Sequence, residues 1–208
     1  MQLDALTDKL SRRLERKLPG ISAHDPLRAV PVGTLIPKFE HKLPPRPGGV
    51  LILLYEAGGQ IRFPLIKRSE YIGAHSGQVS LPGGKSEPGE DVITTALREG
   101  EEEIGIDHRK VNVIGKLSDF FVIPSNFMVT PIIATTVQPV FTPDKREVAR
   151  ILSCSLFDLL LEGSIKQKEI IAAGQFRMMA PHFEIDDEIV WGATAMMLNE
   201  FRMVLLDL

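Results

Sequence analysis

Gly84-Lys85-Ser86-Glu87-Pro88-Gly89-Glu90, followed after a short interval by Arg98-Glu99-Gly100-Glu101-Glu102-Glu103-Ile104-Gly105-Ile106, is the stretch on which the reading of this chain turns. Tandem glycines after a proline lead into helical spacing, expected from about residue 88 to 104 with Pro88 in the first turn. On a wheel advancing about 100° per residue, Glu102 and Glu103 fall roughly 60° to one side of Glu99 and 40° to the other. Three carboxylates therefore share one face at i, i+3 and i+4. Val92, Ile93, Ala96, Leu97, Gly100 and Ile104 fill the adjoining sector, so the helix would bury one flank and carry acid along its border. Like charges at i and i+4 repel by a few tenths of a kcal/mol, and the dipole near a helix C-terminus disfavours anions. A cation that offsets them would be hard, magnesium or manganese rather than zinc. Taken alone, a solvated acidic face is the plainer account of such a cluster.

The surrounding letters change that balance. Gly84, Glu90, Arg98, Glu99, Glu102, Glu103 and Gly105 stand at every fixed position of G-x(5)-E-x(7)-R-E-U-x-E-E-x-G-U, with U a bulky aliphatic residue, and Ile106 fills the last U. This resembles the Nudix box, the signature of the Nudix hydrolases. The first U is Gly100 here. A helix-interior glycine costs about 1 kcal/mol against alanine, and its expected use is close approach of the helix to a sheet. The resemblance implies an α/β fold in which a mixed sheet is sandwiched between helices. It also implies a hydrolase that cleaves the diphosphate linking a nucleoside to another moiety, using Mg2+ or Mn2+.

As the resemblance implies them, the metal ligands are Glu99 and Glu103, with Glu102 contributing directly or through water and Gly83 through its carbonyl. Arg98, placed beyond Glu102 on the wheel, is implied to brace the loop by pairing with Glu90. Glu101 points about 160° from Glu99 and should face solvent. Two acids are candidates for the general base, Glu102 and Glu147, although a solvated loop charge is the plainer reading of Glu147.

Upstream, Arg68, Ser69, Gly77, Pro82, Gly83 and Gly84 match R-[SA]-x(3)-R-x(3)-G-x(3)-F-P-G-G in register, which resembles the second signature of the coenzyme A diphosphatase branch. Two positions depart. Leu81 replaces the phenylalanine, an apolar exchange. Gly73 replaces the second arginine, whose guanidinium would suit bidentate phosphate contacts. Arg68, Ser69 and His75 are the substrate-binding residues that the resemblance suggests, with Lys67, Arg62 or His75 available to compensate at Gly73. A surface salt bridge is the competing reading of Arg68. The segments 124–127 and 191–195 also look like parts of that branch, and Trp191 reads as core rather than as a stacking platform.

The 208 residues carry 44% hydrophobic and 25% charged residues, ordinary globular values, and a net charge of −3, which leaves no electrostatic footprint for nucleic acid or an anionic membrane. Cys154 is the only cysteine, so intrachain disulfides and multi-thiolate metal sites are excluded. The longest clean apolar run, 50–54, is too short to span a bilayer. Charges alternate with leucines through residues 1–18, unlike a signal peptide. A cytoplasmic protein acting on a small nucleoside diphosphate derivative is the expectation, with a homodimer left open.

Leu3, Leu6, Leu10, Leu14 and Leu18 predict an amphipathic helix ended by Pro19-Gly20. Residues 1–47 read as this helix plus a proline-rich wrapping segment, and 48–208 as the hydrolase domain, one globular unit together. Strands are expected at 50–55 and 61–66 as a hairpin, with Pro64 favouring an edge or a bulge. A short strand is expected at 78–81, and further strands at 111–123, 127–137 and 147–153. A short helix at 156–161 and a terminal one at 190–206 complete the expectation, with 165–181 ambiguous.

The leading functional expectation is cleavage of coenzyme A or its derivatives to 4′-phosphopantetheine and adenosine 3′,5′-bisphosphate. The alternatives are a Nudix diphosphatase acting on ADP-ribose or a similar compound, and a non-catalytic sensor on the same fold. A ligand sensor has little use for a mutually repelling carboxylate triad.

Overall fold

The computed structural model describes residues 2–70 and 77–208. The chain runs through α1 (Leu3–Leu14), α2 (Ile21–His24), β1 (Val30–Pro31), β2 (Arg46–Ala57), β3 (Gln60–Arg68), β4 (Val79–Ser80), β5 (Gly83–Lys85) and α3 (Val92–Ile104). It continues through β6 (Asn112–Lys116), β7 (Phe120–Val122), β8 (Phe127–Thr135), β9 (Val148–Ser155) and α4 (Leu156–Leu160). A second small sheet follows, with β10 (Ile165–Ala172), β11 (Phe176–Ile185) and β12 (Glu188–Trp191), before the terminal α5 (Gly192–Leu206).

The main sheet is mixed. β2 and β8 run parallel from Arg46↔Phe127 to Leu54↔Thr135, while β3, β5, β6, β7 and β9 join antiparallel. Leu51 to Leu54 of β2 are all fully buried, because both faces of this central strand are covered. Leu51 and Leu53 pack with Ala96, Ile104, Ile132 and Ala134 beneath α3. Ile52 and Leu54 point the other way, into a core shared with Leu6 and Leu10 of α1 and Phe201 and Val204 of α5. The sheet is therefore sandwiched between helices, as the resemblance implied. Among the described residues no helix is long and apolar enough to cross a membrane.

The acidic helix lies directly on β2. A β-carbon at Gly49 would stand 2.2 Å from the Val92 carbonyl oxygen, and one at Gly100 would meet Leu51 at 3.1 Å and Ile106 at 2.9 Å. Gly100 thus marks the close approach expected of it. The helix starts later than the spacing suggested, at Val92 rather than near Pro88. Asp91 caps it, its Oδ1 accepting the Thr94 amide at 2.8 Å. Residues 87–90 form a separate turn closed by the Glu90 amide on the Glu87 carbonyl, with Gly89 at φ +87°. At the far end Gly105 takes the left-handed conformation that ends the helix, φ +72°.

Several other boundaries move for identifiable reasons. The hairpin forms around Gly58 and Gly59, but β3 is not an edge strand; it lies between β2 and β4 on one side and β9 on the other. Pro64 sits inside it opposite Ser153. The ladder to β2 stops at Arg62, and by alternation Pro64 turns its missing N–H to that same, now unpaired, side. The strand expected at 111–123 is two strands, because Ser118 and Asp119 divert into side-chain bonds to Glu200 and Thr130, both at 2.6 Å. The strand 147–153 reaches Ser155, whose hydroxyl caps α4. The ambiguous 165–181 belongs to the β10–β11 hairpin. The first two residues assigned to the terminal helix close β12, and α5 begins at Gly192. Part of the wrapping segment is ordered as α2 and β1, which pairs with β11.

Gly49→Ala should lower stability by about 1–3 kcal/mol through overpacking, read as a lower urea midpoint with the slope of the transition unchanged.

Candidate active site

Three segments meet at the carboxylate face of α3. From below comes β5, paired with the start of β2 through Gly83↔Val50 and Gly84↔Gly49. Gly84 lies so close to the helix that a β-carbon there would stand 2.5–2.6 Å from the Glu99 carboxylate. Gly83 has φ +146°, and its amide donates to Glu103 Oε2 at 2.8 Å. Toward the acids the structure presents the Gly83 amide. The tandem glycines are thus a seat for two carboxylates, one resting on each.

The second segment is the end of β3. Arg68 Nη1 reaches Glu103 Oε1 at 3.4 Å, and the amide of Ser69 donates to the Glu147 carbonyl at 2.8 Å. The third is the turn at 141–147. Amides of Thr142 and Asp144 donate to the end carbonyls of α3, on Ile104 and Glu103, at 2.8 and 3.0 Å. The Asp144 carbonyl then accepts the amides of Glu147 and Val148. This hangs Glu147 on the helix and brings its charge near enough to Glu99 and Glu103 to disfavour ionisation of both.

Arg98 organises the other end. It holds Glu90 through Nε at 2.8 Å and Nη2 at 3.1 Å, and it also donates to the Lys85 carbonyl. The pairing with Glu90 matches the expectation. The guanidinium is not on the far side of Glu102, however. Its long stem curls back so that Nη1 lies 3.0 Å from Glu99 and 3.1 Å from Glu102. A helical wheel fixes the direction of a Cβ, not the reach of an arginine. Glu101 is exposed as expected and pairs with His108 at 2.6 Å.

Electrostatics separate these acids. Arg98, helped by the Glu87 amide, pulls the Glu90 carboxyl down to about 2. Burial pushes Glu103 up to about 7, with the Gly83 amide and Arg68 opposing it and Glu99 and Glu147 adding to it. Glu99 is raised in the same sense, chiefly by burial, against Arg98. Glu102 is the exposed member, its side chain 59% accessible. Cys154 is buried, its thiol pushed up by desolvation, as befits a core residue rather than a nucleophile.

Among the described residues no three His, Cys, Asp or Glu side chains form a ready cation cage. Glu99 and Glu102 turn toward Arg98, and Glu103 toward Gly83 and Arg68. The donor set nevertheless fits a hard divalent ion. It is all oxygen, and burial raises Glu103 and half-buried Glu99 against the pull of Arg68 and Arg98, so added positive charge would favour their ionised, ligating forms. Lys67 is engaged with Glu188 at 2.7 Å, and Arg62 with Ser153 and Gln60. His75 and Gly73 lie outside the described residues. Ser86 and Thr95, which occupy variable positions of the box and so carry no sequence signal, pair at 2.8 Å beside Glu90. Asp144 was also missed; its only sequence sign is the Pro143-Asp144 turn pattern.

The NUDIX domain description matches residues 45–173. The chain belongs to the Nudix family. Human mitochondrial coenzyme A diphosphatase NUDT8 is 31% identical over 98% of this chain and 80% of its own length. An uncharacterized Nudix hydrolase, NudL of Photorhabdus laumondii, is 32% identical over 65% of this chain and 73% of its own. The solved Nudix hydrolase RenU of M. smegmatis, at 14% identity, superposes with a TM-score of 0.52 over 80% of this chain and 90% of that one, a likeness of fold alone. The protein is therefore a Nudix hydrolase acting on pyrophosphate bonds, in the coenzyme A diphosphatase-like branch.

A carboxyl whose native value lies above its unfolded value, about 7 against 4.5 for Glu103, favours folding while protonated. Its contribution is intact below pH 4.5 and is lost as pH rises through 7. In chelator, Glu103→Gln should thus melt higher than the parent at pH 8, by up to about 3 kcal/mol. The difference should vanish near pH 4.5, a crossover that melting curves at the two pH values will show.

Proposed function

We propose that this Nudix hydrolase uses a divalent cation, magnesium or manganese, to split the diphosphate of coenzyme A or one of its derivatives. The products would be 4′-phosphopantetheine and adenosine 3′,5′-bisphosphate. The observation that carries this reading is the convergence of Glu99, Glu103, Arg68 and Glu147 above the tandem glycines. The relative named as a coenzyme A diphosphatase, aligned over nearly the whole chain, supports the substrate class.

In this reading Glu99 and Glu103 hold the cation, with Glu102 and the Gly83 carbonyl completing the set. When bound, the cation would neutralise diphosphate charge and acidify the attacking water. Arg68, with Ser69 and His75, takes the diphosphate oxygens, the geometry for which a guanidinium is suited. Of the two candidate bases, Glu147 is preferred, because its charge bears on both Glu99 and Glu103 and no ligand role is asked of it. Glu147 takes the proton from water, while the turn at 144–147 keeps its carboxylate beside the acid pair. Arg98 and Glu90 brace the loop and take no part in the chemistry. A cytoplasmic enzyme acting on a small molecule, not on nucleic acid, fits the net charge of −3.

One observation favours a second substrate class, ADP-ribose or another nucleoside diphosphate derivative without a 3′-phosphate. Gly73 stands where the branch signature has an arginine, and both described basic residues that were candidates to replace it, Lys67 and Arg62, are engaged elsewhere.

Incubation with Mg2+ or Mn2+ and a panel of coenzyme A, ADP-ribose and dinucleoside polyphosphates, with the products resolved, separates these readings. Coenzyme A should be turned over fastest; cleavage of ADP-ribose with coenzyme A untouched would transfer the assignment to the second class, and no turnover at all would leave a binding protein. Glu103→Gln should lose at least about a hundredfold in rate with the fold retained. Glu147→Gln should lose about 10²–10⁴-fold if it is the base, and full activity in that variant would move the role to Glu102.

A further inference from the structure

The two arginines that touch the acid cluster are held very differently. Arg98 is clamped, donating two bonds to Glu90 and a third to the Lys85 carbonyl. Among the described residues Arg68 meets the cluster through Nη1 on Glu103 Oε1 at 3.4 Å. That is longer than the roughly 2.7–2.9 Å of a tight charged hydrogen bond. The Arg68 backbone is pinned, its amide on the Gln78 carbonyl and its neighbour's amide on Glu147. Any movement therefore belongs to the side chain, which remains 27% accessible.

The two oxygens of Glu103 are unequal in the same way. Oε2 is fixed by the Gly83 amide, which the β5–β2 ladder holds in place. Among the described residues Oε1 meets the long, rotatable Arg68 guanidinium, and it is the oxygen through which a cation would gain Glu103 as a ligand. With Glu103 just 2% exposed, a cation on that oxygen and the guanidinium would repel each other at close range with little water to screen them.

We propose that Arg68 and the divalent cation compete for Glu103 Oε1, so that arrival of the cation hands the Arg68 guanidinium to the substrate diphosphate. This rests on the assignment of Glu103 as a metal ligand and of Arg68 to the diphosphate. The consequence is a coupling built from one side chain. The diphosphate draws Arg68 off Oε1 and strengthens cation binding, and by reciprocity the cation releases Arg68 and strengthens diphosphate binding. Cation and substrate then enter as an interdependent pair, beyond the attraction that they have for each other directly.

The test is Mn2+ binding by calorimetry to the full chain, with and without saturating α,β-methylene adenosine diphosphate, whose bridge is not hydrolysed. Parent, Arg68→Gln and Glu103→Gln are compared. Without the analogue, Arg68→Gln should bind Mn2+ about threefold or more tighter than the parent. The ratio of Mn2+ affinities with and without the analogue should be at least about threefold smaller in Arg68→Gln than in the parent. Equal ratios would make Arg68 a fixed repelling charge and overturn the proposal. Weaker Mn2+ binding in Arg68→Gln would make it a brace for Glu103, and an analogue without effect on the parent's affinity would likewise overturn it. Glu103→Gln should lose about tenfold or more in Mn2+ affinity; if it does not, the ligand assignment itself has failed, which is seen independently of the ratio.

Discussion

Backbone-to-backbone contact between α3 and β2 is the constraint on which the remainder depends. Gly49 admits the helix at Val92 from the strand side, and Gly100 admits Leu51 from the helix side. A helix pressed this closely cannot roll. Its rotation is set by two missing β-carbons, and with rotation set, Glu99 falls over Gly84 and Glu103 over the Gly83 amide. Close packing of this kind transmits small misfits over several residues. The apolar filling around it, Leu51 and Leu53 against Ala96, Ile104 and Ile132, secures the contact without specifying where the carboxylates point.

Once oriented, the acids pose a charge problem that the chain solves in parts. Glu90 is held ionised by Arg98, which it pairs with in turn. Glu99 borrows that arginine from one side. Among the described residues Glu103 is met by one backbone amide and a more distant guanidinium in a nearly closed setting. A buried carboxylate short of positive charge is costly to a fold and useful to an enzyme, since what it lacks is what a divalent ion and its attached substrate supply.

Much of this was legible in the letters, for a physical reason. Side chains on one helix obey one period, so the shared face of Glu99, Glu102 and Glu103, the exposure of Glu101 and the approach at Gly100 follow from spacing alone. Where the reading missed, long-range contact or local competition decided. Asp91 outbid Pro88 for the start of α3 because its side chain can cap and a proline cannot. Pro64 sits within an interior strand because the ladder beside it ends, a fact about β2 rather than about residue 64. The β10–β11 hairpin has a largely exposed first strand, and without a buried face there is little alternation to detect. The contact of Arg68 with Glu103 joins positions 35 apart in sequence, and no local pattern announces it.

The turn that carries Glu147 is bonded to the end of α3, through Thr142 and Asp144 on the last helical carbonyls, and not to the strand that precedes it. A second tie, from the Ser69 amide at the end of β3 to the Glu147 carbonyl, fixes the turn from the other side. Residues 137–140 carry neither tie, so the position of the acid is referred to α3 and β3 rather than to them. Glu147 thus shares the frame of Glu99 and Glu103, although three strands, β6 to β8, lie between them in sequence.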